Sequence, residues 1–341
     1  MEGQRAISFK ALAIGYRSGG TERILLPELV TFAGKGELVA VIGENGIGKS
    51  TLLRTVCGLQ DPISGHVLLS GRQLKEYSRN ELARIIGYIS TEPVRVSNMT
   101  VFDLVSLGRY PHTSWTGRLG QEDIKITFEA IERVGLKSLS YRYINELSDG
   151  ERQRAMIARV LAQDADVLVM DEPTAFLDIR SKYEIIHLLH NLTRYKGKTI
   201  IFSTHDLNIA LNEADKIWLA GRDTFTEGSP EDLILAGSFS SLFDSSLISF
   251  SDRDASFSFR REQKGRVIVK GQGIIKIWTE RAVNRAGFNI VGKDADFIVS
   301  ASGSPGEYVW ILSGEGNRYV FHNLYDLARW LGTAAGHLED N

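Results

Sequence analysis

Three stretches of the chain are short, unbroken apolar runs, without the alternation that a half-exposed strand shows. They are ELVAVIG (37–43), DVLVMD (166–171) and TIIFSTH (199–205). Such runs are typical of strands covered on both faces, as in a parallel sheet. Segments with helical periodicity separate them, around 122–134, 151–163 and 180–194. This alternation predicts an α/β fold with a mostly parallel core sheet.

The pattern changes after about residue 236. The segment AGSFSSLFDSSLISFSDRDASFSF is rich in Ser and Phe and has little helical periodicity. We interpret it as a link to a smaller α+β unit. Strands are predicted there at 266–270, 296–301, 308–313 and 318–322, and helices at 279–286 and 323–331. The sequence therefore predicts two domains, residues 1–240 and 245–341.

The composition narrows the function classes. The chain has 341 residues, is 43% hydrophobic and carries a net charge of −2, so no global basic field predicts a nucleic-acid partner. Cys57 is the single cysteine, which excludes an intrachain disulfide and fits a reducing compartment. No apolar run reaches the roughly 18 residues of a transmembrane helix, and the N-terminus lacks the apolar core of a signal peptide. If the protein works at a membrane, a partner must therefore hold it there.

GENGIGKS (43–50) follows the first apolar run and fits G-x-x-x-x-G-K-[ST], a P-loop. Its backbone N–H groups can wrap a phosphate, and the next helix directs its positive N-terminal end at the same group. Lys49 can bridge phosphate oxygens, and the Ser50 hydroxyl can bind Mg²⁺. The alternative is a glycine turn that matches the motif by chance. The predicted strand before the loop and the predicted helix after it make this alternative less favoured. The predicted nucleotide-binding residues are Gly43, Glu44, Asn45, Gly46, Ile47, Gly48, Lys49, Ser50 and Thr51.

DVLVMDE places two carboxylates at the end of the second apolar run. Asp171 can hold Mg²⁺ directly or through water. Glu172 can orient or deprotonate an attacking water. By itself the pattern is equally typical of an ordinary buried strand capped by acids, but the P-loop upstream favours the catalytic interpretation.

LSDGERQR (147–154) has the S-x-x-E spacing of a helix capping box, through Ser148 and Glu151. The simplest interpretation is a well-capped helix. Gly150 would also permit close backbone approach, and the helix N-terminus would favour an anion.

With these three motifs in order, the chain resembles the ABC-transporter ATPases over about residues 5–240. Their signature usually reads LSGGQ; here Asp149 and Glu151 replace a glycine and the glutamine. The resemblance implies that Ser148, Gly150 and Glu151 of one subunit cap the ATP held by the P-loop of a second copy. It further implies ATP and Mg²⁺ as cofactors, a homodimer, and catalytic roles for Lys49 and Glu172.

Other motifs extend the resemblance. PTAFLD resembles the D-loop, which implies that Asp178 reaches across the dimer interface. STHD resembles the switch, which implies that His205 contacts the γ-phosphate, although such a His is often only structural. Tyr16 occupies the place of the aromatic that stacks on adenine; its alternative is an ordinary strand tyrosine.

The chain departs from the family where a Q-loop glutamine belongs. Alignment on GYI puts Thr91 at that position, with Glu92 next. Thr91 can offer its hydroxyl to a metal-bound water, and Glu92 could bind the metal directly. Our hypothesis is that Thr91 lines the site and Glu92 faces the partner.

VFDLVSLGRYPHTSWTGRLG (101–120) resembles a segment of importer ATPases for ferric siderophores, haem and cobalamin. The alternative is a generic amphipathic helix followed by a loop. The resemblance implies an ATP-hydrolysing importer subunit that binds permease subunits, works indirectly with a substrate-binding protein, and lies peripherally on the cytoplasmic face of the inner membrane. The rivals are a soluble ABC ATPase not coupled to transport and the ATPase of another transporter class.

The unit after residue 245 allows two functions. One is dimerisation or packing, and the other is regulation by a small ligand or by the transported metal species. We expect Trp278, Trp310 and Trp330 to build a small core rather than a pocket. His322 and His337 are isolated, so no metal-ligand spacing is recognisable.

Overall fold

The computed structural model describes residues 5–19, 21–91, 98–114, 117–222, 224–261, 263–314 and 316–334. The chain divides into two compact units. The first comprises Met1–Leu242 with Asp252–Ala255, and the second comprises Phe243–Ser251 with Ser256–Asn341. Each unit has its own cluster of buried apolar side chains. Within the described part of the chain, no helix has both the length and the apolar character needed to cross a bilayer.

The first unit contains most of the regular structure. Its strands are β1 (Arg5–Ser18), β2 (Thr21–Leu29), β3 (Phe32–Gly34), β4 (Leu38–Gly43), β5 (Ser64–Leu69), β6 (Arg72–Gln73), β7 (Ile86–Ile89), β8 (Val167–Met170), β9 (Thr199–Ser203), β10 (Lys216–Ala220) and β11 (Phe225–Gly228). Its helices are α1 (Lys49–Val56), α2 (Arg79–Ile85), α3 (Val101–Ser106), α4 (Gln121–Arg133), α5 (Asp149–Ala162), α6 (Ile179–Lys196), α7 (Leu207–Glu213) and α8 (Pro230–Leu235), with α9 (Ser238–Phe243) at the boundary.

The core sheet has the strand order β11-β10-β4-β9-β8-β7, and every pair is parallel except β10 with β11. The three apolar runs of the sequence are β4, β8 and β9, and all their residues are buried. The predicted parallel core sheet is confirmed. Met170 pairs with Phe202 in the β8–β9 register, so the residues that follow these strands emerge side by side.

A second sheet of the first unit is antiparallel, in the order β2-β1-β5-β6, with β3 also paired to β1. In its hairpin Tyr16 on β1 lies opposite Arg23 on β2. Helices α3, α4 and α5 pack against one another and form the helical region. In the 101–120 segment, α3 is followed by a 3₁₀ helix at Leu107–His112, where the alternative interpretation of this segment had a loop.

The second unit contains β12 (Ile248–Ser251), β13 (Ser256–Phe259), β14 (Gly265–Lys270), β15 (Phe288–Ile290), β16 (Phe297–Ser302), β17 (Val309–Gly314), β18 (Asn317–Phe321), α10 (Gly273–Arg285) and α11 (Leu324–Ala334). Its main sheet runs β15-β14-β16-β17-β18 and mixes parallel and antiparallel pairs. The α+β prediction is confirmed, including the four predicted strands to within one residue at their starts.

Some expectations for the C-terminal half were wrong. The Ser/Phe-rich segment, interpreted as a link with little helical periodicity, contains the helix α9 and the β12–β13 hairpin. Its alternating Ser and Phe follow the two-residue period of a strand, and Phe250 packs on Phe257 across the pair at 5.2 Å. Helix α10 begins at Gly273, before the predicted 279, and strand β15 was not predicted.

The tryptophans of the second unit separate into two groups. Trp310 is buried and donates from Nε1 to Thr279 Oγ1 over 2.7 Å, and Trp330 packs against the same core. Trp278 is 52% exposed, so the prediction that it belongs to the core was wrong. The reason is that α10 buries the face carrying Thr279 and Val283, which leaves Trp278 towards solvent. His322 is exposed, and His337 lies outside the described residues.

Candidate functional site

The loop between β4 and α1 favours glycine, as Gly43 and Gly48 illustrate for two different reasons. A Cβ added to Gly43 would lie 2.4 Å from the carbonyl oxygen of Ala220, so no side chain fits there. Gly48, the N-cap of α1, has a φ of 114°, which lies in the region that favours glycine. The loop therefore brings its backbone close to the N-terminus of α1, the geometry that a phosphate needs.

Lys49 is the first residue of α1 and is only 6% exposed. Its Nζ donates to the carbonyl oxygen of Gly43 over 2.8 Å and to that of Glu44 over 3.2 Å. Burial lowers the pKa of the Lys49 ammonium, while the charges of Glu172 and Asp171 act in the opposite direction. The cation thus sits between the loop backbone and two carboxylates, where a polyphosphate would add compensating charge.

A cavity of about 410 Å³ opens beside this loop. Its lining residues are Tyr16, Arg23, Leu25, Asn45, Gly46, Gly48, Lys49, Ser50, Thr51 and Glu172. Most predicted P-loop residues therefore face one space, together with Tyr16 and Glu172. Gly43, Glu44 and Ile47 belong to the loop but are not among these lining residues.

The sequence analysis missed two lining residues, Arg23 and Leu25, which β2 contributes. Their signal was the glycine pair between YRS and TER, which predicts a hairpin that would return the chain past Tyr16. Tyr16 is 48% exposed, and its hydroxyl shares a hydrogen bond of 2.8 Å with Thr51 Oγ1. The ring is thereby held at the mouth of the cavity.

Asp171 and Glu172 follow β8, and both are bound by Ser203 at the end of β9. Ser203 Oγ donates to Asp171 Oδ1 over 2.7 Å and accepts from the N–H of Glu172 over 2.9 Å. Asp171 is 4% exposed. Glu172 has a φ of 49°, an uncommon conformation for a residue with a side chain. Sequence reasoning did not single out Ser203; its signal was a polar residue closing an apolar strand.

His205 follows β9 by two residues, and its Nε2 lies 2.6 Å from Glu172 Oε1. The two side chains are partly exposed at 43% and 29%. Two predicted catalytic residues from distant parts of the sequence therefore meet at the sheet edge. This contact is short enough for a direct hydrogen bond between imidazole and carboxylate.

The hydroxyl of Thr91 donates to the backbone carbonyl oxygen of Asp171 over 3.2 Å. Thr91 therefore lies beside Asp171, the first of the two carboxylates after β8, although it is not among the residues lining the cavity. Glu92, the alternative metal ligand, lies outside the described residues. The roles assigned to Thr91 and Glu92 stay predictions.

The signature residues and Asp178 lie outside the lining of the cavity. Ser148 caps α5: its N–H and Oγ–H both donate to Glu151 Oε2 over 2.9 Å, and the N–H of Glu151 donates back to Ser148 Oγ. These bonds lower the pKa of the Glu151 carboxyl. Asp178 caps α6 by accepting from Ser181 N–H over 2.9 Å, which lowers the pKa of the Asp178 carboxyl.

The donor set beside the cavity fits Mg²⁺. Ser50 supplies a hydroxyl and Asp171 a buried carboxylate, and Mg²⁺ prefers such oxygen ligands. Among the described residues only Ser203 hydrogen-bonds the Asp171 side chain, and it does so at Oδ1. The remaining carboxylate oxygen has no protein donor within this part of the chain, which suits a cation.

Two family models match the chain. The model described as ABC transporter matches residues 31–175, and the one described as iron ABC transporter C-terminal domain matches residues 264–332. The second match falls on the strands and helices of the smaller unit from β14 to α11. The first unit therefore has a counterpart among ABC transporter proteins, and the second has one in the C-terminal domain of iron ABC transporters.

Curated relatives and solved structures point to the same family as the two family models. The achromobactin transport ATP-binding protein CbrD of Dickeya dadantii is 37% identical over 67% of this chain and 84% of the relative. The ferric enterobactin transport ATP-binding protein FepC of Escherichia coli is 40% identical over 59% of this chain and 74% of the relative. The dimeric ATP-binding cassette MJ0796, solved with ADP and Pi, has a TM-score of 0.58 and 26% identity, covering 66% of this chain and 98% of that one.

The P-loop cavity, the carboxylates after β8 and the two family matches lead to one assignment. The chain belongs to the ATP-binding proteins of the ABC transporter family, as an ATPase that carries an iron ABC transporter C-terminal domain.

Proposed function

We propose that this protein is the ATP-hydrolysing subunit of an importer that takes up a ferric siderophore through a partner permease. The observation that carries the proposal is the cavity lined by the P-loop and Glu172, in a chain with an iron ABC transporter C-terminal domain. The names of CbrD and FepC, both siderophore transport proteins, support the cargo class. Haem and cobalamin are the other cargoes that the sequence resemblance allows.

In the proposed reaction, Lys49 contacts the β- and γ-phosphates, and Ser50 and Asp171 hold Mg²⁺, with Thr91 beside them. The metal, when bound, neutralises charge on the phosphates. Glu172 orients and deprotonates the attacking water, and His205, in contact with Glu172, reaches the γ-phosphate. Tyr16 stacks on the adenine, since its ring lies at the cavity mouth.

The proposed active form is a homodimer that closes on ATP. Ser148, Gly150, Glu151 and Asp178 are not among the residues lining the chain's own cavity, so a second copy would have to present them to the nucleotide. The dimeric state of MJ0796 bound to ADP and Pi supports this arrangement. Closure would then drive the permease, and reopening would follow hydrolysis.

The surface proposed to receive the permease lies near the 3₁₀ helix Leu107–His112. This helix is anchored at Pro111, whose carbonyl oxygen accepts from Arg84 Nε over 2.9 Å, and at His112, whose Nε2 lies 2.9 Å from the carbonyl oxygen of Gln163. Its Leu107 and Tyr110 side chains are 41% and 65% exposed. A separate cavity of about 510 Å³ is lined by residues of α2 together with Leu59 and by Gln163, the residue that His112 contacts. Exposed Leu107 and Tyr110 beside a cavity of mixed polar and apolar lining suit an amphipathic short helix of a membrane partner.

The remaining proposals concern location and domain roles. We place the protein peripherally on the cytoplasmic face of the inner membrane, held by the permease. Residues 1–240 form the ATPase domain and residues 245–341 an accessory domain.

Exposed Ile274, Ile277 and Trp278 on α10 favour dimerisation as the accessory function. Ile277→Glu should then weaken self-association without nucleotide in analytical ultracentrifugation, and Lys276→Ala should not.

The decisive experiment is to purify the tagged protein from detergent-solubilised membranes of its own organism and to identify its companions by mass spectrometry. Recovery with a polytopic permease would support the importer proposal, and the binding protein that accompanies that permease would lead to the cargo. Recovery only from the soluble fraction, with ribosomes, nucleic acid or no companion, would overturn transport as the function and leave the ATPase assignment intact.

A further inference from the structure

Ser203 is fully buried at the end of β9, with 0% of its surface exposed. Its Oγ–H donates to Asp171 Oδ1 over 2.7 Å, and the N–H of Glu172 donates to the same Oγ over 2.9 Å. A backbone N–H can only donate, so Ser203 Oγ must accept from the N–H of Glu172. The single hydroxyl proton of Ser203 is then donated to Asp171. The direction of both hydrogen bonds is therefore fixed.

The two bonds constrain different features of the site. The bond to Oδ1 sets the rotation of the Asp171 carboxylate, and with it the direction of Oδ2. The bond from the Glu172 N–H holds a backbone whose φ of 49° lies in the left-handed region. From that backbone the Glu172 side chain extends to His205, at 2.6 Å.

We propose that Ser203 is a positioning residue for ATP hydrolysis. One buried hydroxyl orients Asp171 for the metal and fixes the backbone from which Glu172 reaches the attacking water. The inference rests on the proposed function, because it takes Asp171 as a metal ligand and Glu172 as the general base. Ser203 acts through these two neighbours.

The strand register explains why this position can do both. Met170 pairs with Phe202, so Asp171 and Ser203 are the next residues on neighbouring parallel strands. A side chain at the end of β9 is therefore within reach of both the carboxylate and the following N–H. A serine that only filled space here could lose its hydroxyl without changing how the site binds metal.

The test compares Ser203→Thr with Ser203→Val in the full chain. Threonine keeps the hydroxyl, while valine replaces it with a methyl group of similar size. Both add bulk to the same buried position, and both suit a strand. A difference between the two variants therefore reports the hydroxyl and not the packing.

The main readout is Mn²⁺ binding, followed by electron paramagnetic resonance in the presence of a non-hydrolysable ATP analogue. Loss of a hydrogen bond to a charged group should weaken Mn²⁺ binding by about tenfold in Ser203→Val relative to Ser203→Thr. Binding of the analogue without metal should be the same in both. At saturating Mg²⁺ the kcat of Ser203→Val should also fall, because Glu172 is less well positioned, while the KM for ATP should change little.

Equal Mn²⁺ affinity and equal kcat in the two variants would overturn the inference. Asp171→Asn separates this failure from failure of the proposed metal site: if it leaves Mn²⁺ binding intact, Asp171 is not the metal ligand, and the proposed metal site and the role of Ser203 both fall. If it abolishes Mn²⁺ binding while Ser203→Thr and Ser203→Val behave alike, only the role of Ser203 is wrong.

If threonine and valine at this position prevent folding, Ser203→Ala removes the hydroxyl without added bulk. Weakened Mn²⁺ binding by Ser203→Ala would support the inference, and unchanged binding would overturn it.

Discussion

Glu172 Oε1 lies 2.6 Å from His205 Nε2, although the two residues follow different strands. The carboxylate that is proposed to activate water is thereby in contact with the imidazole proposed to reach the γ-phosphate. The contact couples the two functional groups directly. It also gives each group a hydrogen-bond partner.

Glu172→Gln should remove the general base and preserve the shape of the site. We expect kcat to fall by at least about 100-fold, since general-base catalysis contributes on that order. ATP should remain bound, and the ATP-dependent dimer should persist. Phosphate release and light scattering coupled to size-exclusion chromatography measure the two effects.

The matched control for Glu172→Gln is Glu184→Gln, a change to an acidic residue of α6 that pairs with Arg154 and Arg180 on the surface. This control should hydrolyse ATP at the normal rate. Normal hydrolysis by Glu172→Gln would contradict the assignment of the general base.

Tyr16 combines a ring at the cavity mouth with a hydroxyl bound to Thr51. Tyr16→Phe should bind ATP almost as well as the natural protein, because the ring is kept. Tyr16→Ala should weaken ATP binding by about three- to tenfold, the range expected for loss of an aromatic stacking contact. Isothermal titration calorimetry with ATP and with inorganic triphosphate tests this. A similar loss for triphosphate, which has no adenine, would show that Tyr16 does not act by stacking.

Substitutions of the neighbouring residues Arg109 and Tyr110 should affect different properties, the first the stability of the fold and the second the binding of the permease. Arg109 is buried, and it donates from Nε to Asp123 Oδ1 over 2.9 Å and from Nη1 to the carbonyl oxygen of Ala162 over 2.8 Å. Arg109→Ala should lower the free energy of unfolding by about 3 kcal/mol, because Asp123 and a buried carbonyl lose their partner. Tyr110→Ala, at a 65% exposed position, should leave stability unchanged and reduce copurification of the permease.

Denaturant unfolding and pull-down from solubilised membranes distinguish these two effects. If Tyr110→Ala retains the permease in full while Arg109→Ala alone loses it, the exposed face of this segment is not the docking surface.

Glu151 occupies the place of the family's glutamine, and hydrogen bonds from Ser148 lower the pKa of its carboxyl. Glu151→Gln retains an oxygen that can accept from Ser148, so α5 should stay capped. Removing a negative charge that would face the γ-phosphate should tighten ATP-dependent dimerisation by about fivefold at low salt. Sedimentation velocity at two salt concentrations measures this. Equal dimerisation of both proteins at low salt would count against a signature that faces the nucleotide.

The same substitution has a defined pH dependence. The folded-state pKa of Glu151 is depressed, so its charge contributes stability that is fully present above the unfolded pKa of about 4.3 and is lost as pH falls through the folded value. Thermal melts of the natural protein should therefore lose stability in that acidic window relative to Glu151→Gln. Parallel melting curves would show that the carboxylate does not contribute.

Cys57 is buried at the C-terminal end of α1, and burial raises the pKa of its thiol. The thiolate is the reactive form, so we expect very slow labelling by iodoacetamide at pH 8 in the folded protein and rapid labelling in denaturant. Because Cys57 is the single cysteine, mass spectrometry gives the labelled fraction directly. Rapid labelling without denaturant would mean that the end of α1 opens readily.

Several features of the fold and site could be predicted from the sequence because they are local. The apolar runs that became β4, β8 and β9 are unbroken because both faces of these strands are covered. The P-loop motif carries its own constraint, since Gly43 and Gly48 meet a close contact and a positive φ that other residues would not tolerate. The capping box of α5 was likewise visible in four consecutive residues.

Other features depended on the order and register of strands that lie far apart in the sequence. Ser203 meets Glu172 across 31 residues only because β8 and β9 are neighbours in register, and local periodicity does not encode that pairing. Arg23 reaches the cavity through a hairpin, and Trp278 is exposed because α10 buries its opposite face. The sequence by itself therefore determined β4, β8 and β9, the phosphate loop and the family. Only the tertiary structure decided which side chains from distant segments share a hydrogen bond, because those contacts follow from packing between segments and not from the pattern within one.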